Sequence, residues 1–148
     1  MKRIGYHNSL EDFWRYVDKN GPIPEHRPEL GPCWIWMGSI GTEGYGWFHF
    51  QMKRMRAHLL SYKLLKGQIP EGLMLDHLCR VRHCVNPGHA DQVTNRENIL
   101  RGIAPPAMNA RKTHCKRGHS LSGENLTSRH RDGQDRRECK ECNLRRKR

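Results

Sequence analysis

Apolar residues recur along the chain with two different periods, and each period predicts a kind of element. Leu10, Phe13, Trp14 and Val17 fall at i, i+3, i+4 and i+7 behind Ser9, a residue that can cap. That spacing predicts a helix ending at Asn20-Gly21-Pro22. A Pro-rich loop over 22–32 then leads into a strand at Cys33-Trp34-Ile35-Trp36. From Tyr45 to Lys53 the period drops to two. Trp47, His49, Gln51 and Lys53 share one face, while Phe48, Phe50 and Met52 share the other and seek the core. Ala57 to Lys66 reads as an amphipathic helix closed by Gly67. Leu73-Met74-Leu75 is a short buried strand that delivers Asp76 and His77. An irregular segment over 79–90 follows, and Gln92-Val93 can return as a second strand. Thr94 and Glu97 have capping-box spacing, so a helix starts there, carries Asn98 in its first turn and closes at Gly102.

Composition narrows the class. Only 35% of the 148 residues are hydrophobic and 28% are charged, so the core is thin. The formal net charge of +12 favours a polyanionic partner. That charge is uneven: residues 1–100 carry thirteen Lys+Arg against ten Asp+Glu, and residues 101–148 carry fourteen against five. The shift coincides with Gly102-Ile103-Ala104-Pro105-Pro106, which reads as a linker. The chain is therefore expected to hold one domain over 1–102 and a basic module over 103–148, ending in Arg145-Arg146-Lys147-Arg148, read as a phosphate-binding tail with a localisation address as the alternative. No apolar run approaches the roughly 18 residues of a membrane span, so no membrane partner is expected. Lys2 and Arg3 are followed by no apolar stretch of the kind a secretory signal needs. Six cysteines and ten histidines then point to metal rather than disulfides, with the cytoplasm as the default compartment.

The 76–98 segment carries the chemistry. Hydrolysis of a phosphodiester needs a base for water, a hard cation for the charge growing on phosphate, and oxygen ligands for that cation. His77 suits the first role, because a neutral imidazole is available near neutral pH. Asp76 and the Asn98 amide oxygen suit Mg²⁺ or a similar cation. The loop between them is too polar to hold itself by packing. Cys79, Cys84 and His89 supply three soft ligands at C-x4-C-x4-H spacing, and a closed zinc site takes four. Cys33 is the other cysteine before the linker and is taken as the fourth, with His83 as its competitor. His58, on the 57–66 helix, has no comparable context and reads as a packing or solvent histidine.

The string His77-x-Cys79-x4-Cys84-x4-His89-x8-Asn98 resembles the His-Cys box, a branch of the HNH or ββα-metal (His-Me finger) nucleases. Leu75 to Cys79, Asn86-Pro87-Gly88-His89, Val93 to Asn98, Cys33 to Gly38 and Gly44-Tyr45-Gly46 are similar to phage-type HNH endonucleases. The resemblance covers about residues 33–102. It implies a single-metal mechanism in which His77 activates water and Asn98 holds the cation. The position of Asp76 is a metal ligand in the HNH branch and dispensable in the His-Cys branch. His89 matches a zinc ligand in the His-Cys pattern. Members of the group include homing endonucleases, and some act as homodimers.

Beyond the linker, Cys115-x3-His119 and Cys139-x2-Cys142 match a small zinc knuckle, with His114 able to substitute beside Cys115. Lys116, Arg117, Arg136, Arg137 and Lys140 would ring it with positive charge that raises affinity without reading sequence. Base contacts are expected instead from His49, Gln51 and Lys53, with Arg54 and Arg56 beyond them, if a two-stranded ribbon enters the major groove. Arg80 or Arg82 is placed at the phosphate near the cut. The expected fold is α+β: a ββα-metal core stapled by one zinc, then a zinc knuckle. The expected activity is hydrolysis of double-stranded DNA with Mg²⁺ and two structural Zn²⁺. The rival is a non-catalytic, zinc-dependent nucleic-acid-binding regulator, and RNA as substrate is a third option.

Overall fold

A computed structural model describes residues 9–131 and 134–146, so Lys2, Arg3, Lys147 and Arg148 lie outside it. The chain divides into two compact units, Met1–Asn95 and Arg96–Arg148. Among the described residues, helices are interspersed with four separate two-stranded antiparallel sheets, an α+β arrangement.

In the first unit, helix α1 (Leu10–Arg15) is capped by Ser9, whose hydroxyl accepts the Asp12 N–H at 3.0 Å. The helix is shorter than the apolar spacing predicts. The Tyr16 carbonyl accepts from the Met37 N–H at 2.7 Å, and the chain turns extended as β1 (Val17–Asp18) to pair with β2 (Ile35–Trp36). The cross-strand partner overrides the helical period at Val17.

The alternating stretch is a hairpin rather than one strand. Strand β3 (Trp47–Phe50) turns at Gln51 and Met52, with φ of 48° and 63°, into β4 (Lys53–Arg56). Two central residues with positive φ match the twist of a two-residue hairpin loop. This reverses two expectations. Met52 sits at the turn, 79% exposed, and is no part of the core. Lys53 pairs with Phe50, so it shares the Phe48–Phe50 face and not the His49 face; Arg54 pairs with His49 and Arg56 with Trp47.

Helix α2 (Ala57–Lys66) follows β4 directly and ends at Gly67, as its apolar stripe predicts. The core joins three elements. Phe13, Trp36 and Phe48 pack ring against ring at 5.0–5.7 Å, with Ala57, Leu60 and Val85 around them. Gly46 has no alternative there, because a Cβ would collide with Trp36 Cδ1. Truncating one aromatic of such a trio costs about 3–5 kcal/mol. Strand β5 (Leu73–His77) pairs with β6 (Ala90–Thr94), Asp76 opposite Asp91 and His77 opposite Ala90.

Helix α3 (Asn95–Arg101) begins directly after β6, and all but its first residue belong to the second unit. The Pro105-Pro106 stretch is not a linker throughout: it opens α4 (Pro105–Arg111), with Pro at the first helical turn. Proline lacks only an N–H that the first turn leaves unpaired in any case. A hairpin of β7 (Leu126–Arg131) and β8 (Gln134–Cys139) and then α5 (Lys140–Arg146) complete the unit. No described helix is long and apolar enough to cross a membrane.

Candidate active site and two metal-ligand clusters

The first unit assembles a histidine, a carboxylate and a thiol cluster around one loop. The loop after β5 is stitched to the β2 segment by backbone bonds, Trp36 N–H to the His83 carbonyl at 3.0 Å and Val85 N–H to the Trp34 carbonyl at 2.7 Å. Those bonds bring Cys33 alongside. Sγ of Cys33, Cys79 and Cys84 and a ring nitrogen of His89 all lie within 4.8 Å of one another, and all four residues are buried. His83 is not in that group. His89 Nε2–H donates to the Leu30 carbonyl at 2.9 Å, which leaves Nδ1 unprotonated toward the Cys33 and Cys84 sulfurs at 3.5 and 3.7 Å. A backbone carbonyl that fixes the far nitrogen is the usual support of a metal-binding imidazole. Three thiols and one imidazole in a closed, buried set suit structural zinc. The Cys84 thiol lowers the Cys79 thiol to about 4, while burial pushes Cys33 up to about 11.

The same loop holds His77. Its Nε2 lies 3.0 Å from the Cys84 carbonyl, which can only accept, so Nε2 carries the hydrogen and Nδ1 keeps its lone pair. Burial lowers the His77 pKa, which keeps the ring neutral at neutral pH. A residue of the thiol cluster thus sets the tautomer of the candidate base. Asp76, 4% exposed, accepts from Arg80 Nη1 at 2.6 Å. Arg80 has φ of 59° and folds back on the strand it follows, so its guanidinium is engaged with Asp76. Asp91, directly opposite Asp76 in the register, places a second carboxylate on that pair, one the sequence reading passed over. Asn98 lies on α3, in the second unit.

Two further rings adjoin His77, neither singled out by sequence. The Tyr45 ring lies 5.9 Å from it and the His58 ring 4.8 Å, and His58 is buried, so of the packing and solvent readings it takes the packing one, in the context of His77. The signal was its place on the buried stripe of α2 with Ser61 and Tyr62. Burial holds the His58 pKa down to about 3.

The ribbon is a ladder of guanidinium on aromatic rings. Arg54 lies over Trp47 at 4.3 Å, Arg56 over Tyr45 at 4.3 Å, and Arg82 over Tyr45 at 5.8 Å. Arg56 also pairs with Glu43, and Arg82 donates to the Glu43 carbonyl at 2.8 Å. His49 and Lys53 are exposed on opposite faces, and Gln51 is in the turn. The expected set of His49, Gln51 and Lys53 is therefore not one face.

In the second unit, Cys115, His119, Cys139 and Cys142 offer ligand atoms within 4.8 Å of one another; His114 is outside the group. His119 Nδ1 faces Cys142 Sγ at 3.3 Å, while its Nε2 lies 3.3 Å from Glu141 Oε2. A carboxylate behind the imidazole orients it as the carbonyl does in the first cluster. Arg137 does not join a ring of free charge. It donates to the Asn109, Ala110, Lys112 and Leu121 carbonyls and so holds the end of α4.

Comparison with known proteins meets this geometry at its centre. Residues 55–100 match the family model described as HNH endonuclease. The segment that carries α2, β5, the ligand loop, β6 and most of α3 is thus the part similar to HNH endonucleases. Two phage proteins are among its relatives. Protein 7.7 of Escherichia phage T7 is 29% identical over 66 residues, 45% of this chain and 51% of that protein. The gene 5.3 protein of Enterobacteria phage T3, described as uncharacterized, is 32% identical over 63 residues, 43% of this chain and 58% of that protein. The chain thus spans a little over half the length of the curated relatives it matches. No solved structure matches it.

Proposed function

We propose that the protein is a DNA endonuclease that hydrolyses phosphodiester bonds with one divalent cation per site. The observation that carries this reading is His77: buried at the end of β5, tied through Nε2 to the Cys84 carbonyl, and left with Nδ1 as a proton acceptor. His77 Nδ1 takes the proton from the attacking water. Asp76 and Asn98 offer hard oxygen donors of the kind Mg²⁺ takes, and they would hold the cation that neutralises charge on the phosphate. The Asp76 carboxylate already draws a positive group, Arg80, which supports a cation-binding role. Pairing Asn98 with His77 rests on the family pattern, which spans both. Within this reading β5, β6 and α3 form the ββα-metal unit, and residues 1–102 form the nuclease domain.

The two cysteine–histidine clusters hold structural Zn²⁺. Arg54 and Arg56, each 4.3 Å over an aromatic ring, and Arg82 beside Tyr45 would contact backbone phosphates. His49, exposed and opposite Arg54 in the register, would be the ribbon residue that touches a base. One His77 per chain cuts one strand, so double-strand cleavage takes a homodimer or two visits. Mg²⁺-dependent nicking of supercoiled plasmid at unchanged zinc content tests the proposal; zinc-loaded protein that binds DNA and never cuts it would move the assignment to a binding module.

A further inference from the structure

We infer that His58 is a positioning residue for His77, locking the tilt of the His77 ring; the inference rests on the nuclease reading above. The Cys84 carbonyl fixes the tautomer of His77 and the direction of its Nε2–H, but one hydrogen bond leaves the ring free to rock about that line. Two rings remove the freedom. His58 meets His77 at 4.8 Å with planes 67° apart, an edge-to-face contact, and Tyr45 closes on both at 5.2 and 5.9 Å. Each comes from a different place: His58 from the first turn of α2, Tyr45 from the approach to β3, where Arg56 covers it.

The contact is ring against ring, so what it needs at this position is a flat, buried side chain held in place. His58 is 8% exposed and sits in the first turn of α2, where the helix fixes where its ring enters. It remains neutral, so it sets no like charge beside His77.

The test compares His58→Ala, which removes the ring, and His58→Phe, which keeps one, with wild type, with bound zinc counted on each protein. His58→Phe is expected to keep its zinc, to melt at or above the wild-type temperature and to hold kcat within about threefold of wild type, because a phenyl ring makes the same contact. In zinc-loaded His58→Ala kcat should fall about 100-fold with KM unchanged, the loss that a misplaced reacting group brings. Long-range ¹⁵N spectra of the imidazoles should show His77 as one Nε2–H form in wild type and in His58→Phe, and as broadened signals in His58→Ala. Wild-type kcat and an unchanged His77 spectrum in His58→Ala would reduce His58 to packing, and so would loss of fold or zinc in that variant; loss of turnover in folded His58→Phe would show that the ring contact does not position His77. If wild type itself never cuts, the nuclease reading falls and the His77 spectrum alone decides what His58 does.

Discussion

The two ligand clusters have the same chemistry, three cysteines and one histidine, and opposite surroundings. Cys33, Cys79, Cys84 and His89 are all buried, and a backbone carbonyl of the set, that of Cys84, grips His77. In the second cluster only Cys139 is buried, and its imidazole is steadied by the exposed carboxylate of Glu141. The comparison teaches that one donor set can serve two ends. On the proposed reading, the first would hold a loop that could not pack by itself and thereby aim a reactive ring. The second holds a polar hairpin and helix together within a segment, 101–148, that carries nine of the twelve excess positive charges.

Breaking each cluster in turn separates those roles. Cys84→Ser should have the largest effect: loss of one zinc per chain, loss of folded first-unit signal by circular dichroism and loss of all cleavage, since zinc binding supplies much of the folding free energy of such a set. Cys142→Ser should also lose one zinc but keep the His77 environment. Its turnover at saturating DNA should stay within about threefold of wild type, while affinity falls and log K against log salt flattens by about one unit per lost phosphate contact. Equal damage to turnover in both variants would erase the division.

Much of this was legible in the sequence, and the reasons are specific. Helix α2 was plain because its apolar stripe stops at a glycine, and both ligand groups were plain because cysteine spacing survives any uncertainty about the elements between. The hairpin break was hidden because Gln51 and Met52 take positive φ without the glycine or asparagine that usually announces it. Strands β7 and β8 were hidden because they show no apolar alternation. Their pairing is braced where Leu126 faces the ligand Cys139, and the Asp132-Gly133 dipeptide was the one local clue. His58 was read only as a packing or solvent histidine, because the period of α2 shows which residues turn inward, not which ring they meet.

A smaller effect sharpens the contrast from the acid side. His58 is held near 3 in the folded chain against an ordinary 6.5, so between those values the unfolded chain binds the additional proton. The stability this gives is complete above about pH 6.5 and drains as pH falls toward 3, by up to ~1.4 kcal/mol per pH unit. Melting temperatures taken at roughly pH 7 and pH 5 should drop further in wild type than in His58→Phe. Zinc-ligand protonation is common to both proteins, so the difference between them isolates the ring; identical drops would remove His58 from the acid limb.

The central claim is that the first cluster exists to aim His77 at a phosphodiester. Single-turnover nicking of supercoiled plasmid with Mg²⁺, wild type beside His77→Ala, with zinc counted and melting curves recorded on both, tests it most directly. The account predicts equal zinc, similar melting and a loss in the variant of about 10²–10⁴-fold, the range a positioned general base contributes. Cutting by the folded, zinc-loaded variant at the wild-type rate would contradict it.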